Sequence, residues 1–262
     1  MLKLIFCELA KLKRKKFILF VIVSAFMFPL PLALMMLMPR MTARYDTKAE
    51  LFDDFYQFVL GYGVELLLPC VIGVIAAILF FMERDNDTFK NLRTIPMTST
   101  QMIFAKIIVL FLFGLIFCLS TAAVTIVCGS LIAEVGGLGY KLWAALELGI
   151  FVTAGTLPLV VLVVFFSKTY IFSVLLCIFY SVLSLTAESC FGVLPKFLCW
   201  LMPIPLTTLW CAGDMLQHSV RDSVSGLDYL IPTTGQTALI LGVMSILSIW
   251  LIDQLYKRRG GE

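Results

Sequence analysis

The sequence predicts an all-α integral membrane protein with six transmembrane helices. Hydrophobic residues make up 61% of the 262 residues, and charged residues only 14%, whereas a soluble domain carries about 25% charged residues. The mean hydropathy of +1.00 indicates that lipid contacts replace much of the missing polar surface. Long, unbroken apolar runs also match the roughly 20 residues that a helix needs to cross the hydrocarbon core. A membrane β-barrel would instead show short segments of alternating hydrophobicity.

Residues 1–16 predict an amphipathic helix that lies at the membrane interface. Its apolar residues recur at helical spacing, at Leu2, Ile5, Phe6, Leu9 and Leu12. Lysines and an arginine fall largely on the other side, where they suit anionic lipid headgroups. The apolar run that follows is too long for a signal peptide, so we expect it to remain as the first span.

Six apolar runs and the polar segments between them define the predicted topology. The expected spans are residues 17–38, 63–82, 107–132, 143–166, 170–187 and 236–256. Pro29 and Pro31 are expected to kink or break span one. Residues 39–62 contain several charges and are predicted to form a polar loop, whereas a short glycine-rich turn at residues 135–140 precedes span four.

The segment 188–235 is apolar in part but is interrupted by Pro195, Pro203 and Pro205. Broken backbone is tolerated at membrane depth only where protein buries it or where it lines a cavity. We therefore expect short helices that re-enter the membrane or lie on its outer surface. A seventh full span is the alternative, and it would move the C-terminus to the outside.

The cysteines match no zinc-binding pattern. Five of the eight lie in apolar or cytoplasmic segments and are expected to be free thiols that pack as small apolar groups. The other three lie in the outer segment, at Cys190, Cys199 and Cys211, where a disulfide between two of them stays open.

The distribution of basic residues fixes the expected orientation. The N-terminal helix, residues 83–106, Lys168 and the C-terminal tail together hold fourteen lysines and arginines, and the opposite side holds six. Because basic residues are retained in the cytoplasm, both termini are expected there. This orientation predicts a multi-pass membrane protein with residues 188–235 outside.

The polar segment 83–106 predicts a short helix followed by the start of span three. Asp87 or Thr88 can cap the short helix, and Pro96 ends it. Its Phe89, Leu92 and Ile95 share one face, which must bury itself on lipid or on a soluble partner. Thr98 and Gln101 then form a capping-box pattern for a helix that continues through Lys106 into span three.

This segment resembles the loop between spans two and three of type-2 ABC transporter permeases. The matching residues, in order, are Glu83, Thr88, Lys90, Leu92, Pro96 and Lys106, and Asp87 stands where the family usually has glycine. The resemblance implies that Glu83 ends span two, that the Thr–Lys–Leu core forms a helix coupled to an ATPase, and that Lys106 opens span three. Phe89 and Ile95 would complete the coupling face. The six spans, the basic start and the helical outer segment resemble the same family.

Within that family, the chain's size and lysine-rich start are similar to permeases for lantibiotic self-immunity and peptide-antibiotic resistance in Gram-positive bacteria. This similarity implies transport of an amphipathic peptide, with a drug, lipid or bacteriocin as the alternative. It also implies two ATPase subunits and a second permease, either identical or a sister chain. Since the sequence has no G-x-x-x-x-G-K-[ST] phosphate loop, ATP and Mg²⁺ are expected to bind in the partner ATPase, and no cofactor in this chain.

Other functions have weaker support in the sequence. The single histidine, His218, and the absence of an H-E-x-x-H motif disfavour an intramembrane metalloprotease. A non-ABC transporter or an assembly subunit stays open, although no internal repeat is evident. The net charge of only +3 does not suggest nucleic-acid binding.

Three acidic residues near the outer ends of the spans are candidates for a rim that contacts substrate: Glu65, Glu147 and Glu188. A carboxylate in an apolar span is costly, so each should face protein, water or the interface. An acidic rim would attract a cationic peptide at the outer leaflet. Alternatively, these groups are ordinary interfacial carboxylates that pair with Arg40 or Arg44.

The predicted topology can be tested with reporter fusions. A reporter fused after Glu262 is expected to be active only in the cytoplasm, and a reporter inserted beside Asp46 only outside, because the spans are even in number. Activity of the C-terminal fusion on the outside would contradict six spans and would indicate that residues 188–235 cross the membrane.

Overall fold

The computed structural model describes residues 2–14, 16–85, 98–166, 170–218 and 228–259. They form α-helices joined by short turns, and no β-strand occurs in these ranges. The twelve α-helices of these ranges are α1 (Leu2–Arg14), α2 (Phe17–Phe26), α3 (Pro29–Met36), α4 (Pro39–Thr42), α5 (Lys48–Phe58), α6 (Glu65–Asp85), α7 (Ser99–Ile132), α8 (Leu138–Phe165), α9 (Tyr170–Glu188), α10 (Lys196–Leu201), α11 (Pro203–Gln217) and α12 (Thr234–Arg259). A π-helix, Val59–Val64, joins α5 to α6, and a 3₁₀ turn, Asp228–Leu230, precedes α12.

Six helical segments are long and apolar enough to cross a membrane, which confirms the predicted number of spans. They are Phe17–Met36, Lys48–Phe81, Ser99–Ile132, Leu138–Phe165, Tyr170–Glu188 and Thr234–Lys257. In the second, third and fourth spans, most residues of the apolar window are buried by protein. Fewer than a quarter are buried in the other three, which surround this core and leave wide apolar faces for lipid.

The first span is broken as its prolines predict. Helix α2 ends at Phe26 and α3 begins at Pro29, where a proline at the first helical position fits because its missing N–H needs no partner. The helix that contains the third span begins at the predicted capping box. The Thr98 hydroxyl accepts from the Gln101 backbone N–H, and the Gln101 side-chain oxygen accepts from the Thr98 backbone N–H.

The predicted loop over residues 39–62 is wrong for most of its length. The helix of the second span begins at Lys48, capped by Thr47, and not at residue 63. Leu51 and Phe55 of α5 are buried, so the segment is an amphipathic helix whose outward charges resemble the composition of a loop. The helix of the fourth span begins at Leu138, earlier than the predicted residue 143.

The outer segment forms short helices, as predicted. Helix α11 has 15 residues and lies against α6, α8, α9 and α12, and no membrane-length helix occurs in the described parts of residues 189–233. The seventh span therefore has no support. All eight cysteines, including Cys190, Cys199 and Cys211, are free thiols.

Helix α1 is present where the sequence predicts it, but its apolar stripe divides between two surroundings. Leu12 is fully buried, and Ile5 and Leu9 pack against the core, mainly beside α7. Leu2 and Phe6 stay exposed and are free to contact lipid. Its position at the membrane interface stays a prediction.

Candidate functional site

A buried acidic side chain begins α6, about midway along the second membrane-spanning helix, Lys48–Phe81. Glu65 is only 1% exposed. Its Oε2 accepts a hydrogen bond from the Thr208 hydroxyl of α11, whereas its Oε1 has no hydrogen-bond partner. A buried carboxylate oxygen without a donor is costly, so this group marks an unusual place in the bundle.

A second carboxylate meets the same hydroxyl. Glu188, the last residue of α9, lies with its Oε1 2.8 Å from the Thr208 oxygen. A threonine hydroxyl has one proton and can donate to only one acceptor at a time. The two carboxyl groups, which come from residues 123 positions apart, therefore share a single donor.

This pair has no compensating cation in the described part of the chain. None of the ion pairs formed there includes Glu65 or Glu188, and neither carboxylate is paired with Arg40 or Arg44. We name Glu65, Glu188 and Thr208 the outer carboxyl site.

The third predicted rim residue lies apart from this site. Glu147 accepts a hydrogen bond of 2.8 Å from the Trp143 indole N–H of its own helix and is partly exposed. The structure thus brings together two of the three acidic residues singled out from sequence. It adds Thr208, for which the sequence offered only the weak signal of two threonines inside an otherwise apolar helix.

The π-helix before Glu65 sets the direction of its side chain. Each wide turn adds a residue and so rotates the following face relative to a regular helix, and such turns are frequent at functional sites. Gly63 allows the close approach of span one here, because a Cβ at this position would lie 2.6 Å from Cδ1 of Phe28.

Two apolar grooves open on the bundle, and the second borders the site. The first has a volume of about 650 Å³ and lies between span one and α6, where Leu67, Cys70 and Val71 line it. The second, of about 370 Å³, lies between α9 and the proline-rich start of α11. Its lining includes Ala187 and Cys190, which flank Glu188 in sequence.

At the end of the bundle next to residues 86–97, Lys106 is fully buried and does not face a soluble partner. Its ammonium donates to the Leu79 carbonyl at 2.7 Å, near the end of α6, and lies 5.3 Å from the centre of the Phe80 ring. It also lies 3.6 Å from Oε2 of Glu8 in α1, an electrostatic contact too long for a hydrogen bond. Lys106 therefore ties α1, α6 and α7 together.

Helix α12 joins the same end of the bundle. The Thr100 hydroxyl donates to Asp253 at 2.9 Å, and the Tyr256 ring lies 6.4 Å from the Phe80 ring in an edge-to-face arrangement. The helices on both sides of the segment 86–97 are thus held in one packed assembly, which would carry a displacement of that segment into the spans.

The remaining predicted coupling residues cannot be compared with side-chain positions. Glu83 lies in α6, but its side chain is outside the described part. The others lie wholly outside the described residues: Asp87, Thr88, Phe89, Lys90, Leu92, Ile95 and Pro96.

A multi-pass helical bundle with apolar lateral grooves is typical of a membrane transport subunit. The ABC-2 family transporter protein family matches residues 4–184, which is more than half of the chain. The chain therefore belongs to the ABC-2 transporter family. It is the membrane permease subunit of an ABC transporter and works with an ATPase subunit. No curated protein matches the chain.

The Lys106 contacts predict a large effect of removing its charge. The change Lys106→Met keeps the side-chain length but removes the hydrogen bond to the Leu79 carbonyl and the contact with Glu8. Glu8 retains its 2.6 Å ion pair with Lys11, so we expect a cost of about 1.5–3 kcal/mol. We expect a lower midpoint in thermal unfolding of the purified chain. The control Lys257→Met removes a half-exposed ion pair with Asp253 and should cost at most about 1 kcal/mol. Equal effects of the two lysine changes would contradict the buried ion pair.

Proposed function

We propose that this permease removes a lantibiotic, or a similar cationic amphipathic peptide, from a bacterial cell membrane and so gives resistance to it. The observation that carries this proposal is the uncompensated outer carboxyl site beside an apolar groove. A peptide with both positive charge and apolar side chains complements the two surfaces together.

The position of the grooves supports uptake from the membrane. Both lie on the outside of the helical core, and nearly all of their lining is apolar, including Met27 and Leu30 in the first and Met202 and Pro205 in the second. An amphipathic peptide in the outer leaflet can enter such a groove sideways without crossing the bilayer. Its cationic groups then lie in a poorly screened surrounding, where attraction to a carboxylate is stronger than in water.

The cytoplasmic assembly around Lys106 supports the proposed coupling. Two ATPase subunits bind ATP and Mg²⁺ and close against the segment 86–97 of two permeases, which are identical or sister chains. Because Lys106 joins the end of α6 to α7 and α1, a push on that segment reaches span two directly. Span two packs closely against α9 along its length, so spans two and five move together and open the groove between α9 and α11.

The second candidate is export of another drug, a lipid or a bacteriocin. The first groove favours it, because only Ser24 among its lining residues carries a hydroxyl group, and an acyl chain fits such a surface. A lipid with no positive charge would leave the outer carboxyl site without a role.

The coupling helix is testable through its apolar face. The change Leu92→Asp should weaken co-purification with the ATPase subunit by about thirtyfold in affinity, because an apolar anchor in an interface is often worth 2 kcal/mol or more. Asn91→Asp places the same charge on the neighbouring residue, off the face of Phe89, Leu92 and Ile95, and serves as the control. Both variants should insert normally. Unchanged co-purification and transport in Leu92→Asp would exclude this face as the contact.

Peptide resistance tests the proposed substrate. A sensitive bacterial host carrying the full transporter should lose resistance to its cationic lantibiotic when Glu65→Gln and Glu188→Gln are combined, by about tenfold if one ion pair of about 1.4 kcal/mol is lost. Glu147→Gln, outside the carboxyl site, should leave resistance unchanged. Assembly with the ATPase and basal ATP hydrolysis are measured in each strain. If deletion of the whole transporter changes sensitivity to no cationic peptide, the resistance function is wrong.

A further inference from the structure

We propose that Glu65, Glu188 and Thr208 form a binding site for one primary ammonium group. The ammonium comes from a lysine side chain or the N-terminus of the transported peptide, or from the headgroup of an aminophospholipid. The peptide source rests on the proposed function, whereas the site itself does not.

The site contains more hydrogen-bond acceptors than hydrogen-bond donors. When both carboxyl groups are ionised, they meet one hydroxyl proton, and Oε1 of the almost fully buried Glu65 then has no donor. The Ile204 carbonyl adds a further acceptor, 3.2 Å from the Thr208 oxygen. A primary ammonium has three N–H donors and no acceptor, so it supplies what the site lacks.

The charge of the site agrees with the same ligand. All five ion pairs found between described side chains lie elsewhere, and no basic side chain reaches either carboxylate. Two carboxylates this close do not both stay ionised without a cation, so the empty site holds a proton. In the occupied site, the attraction of both carboxylates to the ligand's ammonium replaces their mutual repulsion. Glu188 is partly exposed and can admit the ligand, whereas Glu65 lies behind it.

Other cations fit the site less well. Ca²⁺ and Mg²⁺ take six or more oxygen ligands and Zn²⁺ usually four ligands, but no group of three or more histidine, cysteine or acidic residues gathers anywhere in the described ranges. A quaternary ammonium such as choline has no N–H to offer to the unpartnered oxygen. The primary amine is therefore the cation whose donors match the acceptors.

The surrounding surface indicates that the amine is attached to an apolar chain. Ala187 and Cys190 of the second groove flank Glu188, and Pro203 and Pro205 of the same groove lie in the first turn of α11, just before Thr208. The first groove lies on the opposite face of α6, because Leu67 and Cys70 are about 200° and 140° around the helix from Glu65. A ligand with an ammonium head can thus seat its apolar part in the second groove while its head reaches the carboxyl groups.

The test uses the purified permease–ATPase complex in nanodiscs of phosphatidylcholine and phosphatidylglycerol, which contain no primary amine. The probe is Nα-dodecanoyl-lysine amide, and the matched control is the same molecule with an acetylated lysine amine. The complex should bind the lysine probe about tenfold more tightly than the acetylated one, the effect of about 1.4 kcal/mol. Glu65→Gln combined with Glu188→Gln should abolish this preference, and Glu147→Gln should retain it. Equal affinity of the unaltered complex for both probes would overturn the proposal.

A second measurement needs no variant. Dicyclohexylcarbodiimide, which modifies protonated carboxyl groups in apolar surroundings, should label Glu188 in the amine-free nanodiscs. Saturating lysine probe should slow this labelling about tenfold, as expected when about nine-tenths of the sites are occupied, and the acetylated probe should not. Replacing phosphatidylcholine by phosphatidylethanolamine separates the two sources. Slower labelling without probe assigns the lipid headgroup, whereas slowing by the probe alone assigns the peptide. No slowing in either arm overturns the site.

These results are independent of the resistance assay. Selective binding of the lysine probe, together with resistance that does not depend on the transporter, would retain the amine site and remove the peptide-resistance function. Resistance that depends on the transporter, without selective binding, would remove the site and retain the function.

Discussion

The central helix that runs from Lys48 to Phe81 is the constraint on which the rest of the structure depends. Most of its apolar window is buried, so its neighbours pack around it and cannot move without it. Glu65 of the outer carboxyl site and Leu79, which accepts from Lys106, lie on this one helix. At 1.5 Å per residue they are separated by about 21 Å along its axis. A displacement at its cytoplasmic end therefore reaches the carboxyl site as a rigid-body motion.

Buried charges distinguish the fixed parts of the bundle from the candidate binding site. Lys141 is buried near the outer end, where it pairs with Asp53 at 2.5 Å, donates to the Gly136 carbonyl at 2.8 Å and lies 4.4 Å from the centre of the Phe52 ring. Lys106 has comparable partners at the other end. Both cations hold helices together, since each has acceptors for its donors. The Glu65–Glu188 pair differs because its charge has no partner within the described chain, and that difference makes it a candidate for ligand binding.

Because an ABC-2 permease works with an ATPase subunit, the end of the bundle next to residues 86–97 and the grooves are expected to act together. In the proposed mechanism an ATPase acts on the segment between α6 and α7, and an amphipathic molecule enters a lateral groove. The lipid-facing spans bury fewer than a quarter of their apolar windows in protein, whereas the second, third and fourth spans bury most of theirs. The lipid-facing spans are therefore the ones that a molecule dissolved in the membrane contacts first.

The sequence by itself determined the number of spans, the break before Pro29, the start of the third helix at Thr98 and the short outer helices. Each depends on local chemistry: the length of an apolar run, the missing N–H of proline or a capping side chain. Tertiary structure decided the rest. Residues 48–62 are helical because their apolar face packs against the core, although their charges resemble a loop. Lys106 is buried because α1 and α6 cover it. Glu65 and Glu188 form one site, without Glu147, because α11 brings Thr208 between them. Contacts that join residues more than a hundred positions apart depend on helix packing, which no local pattern encodes.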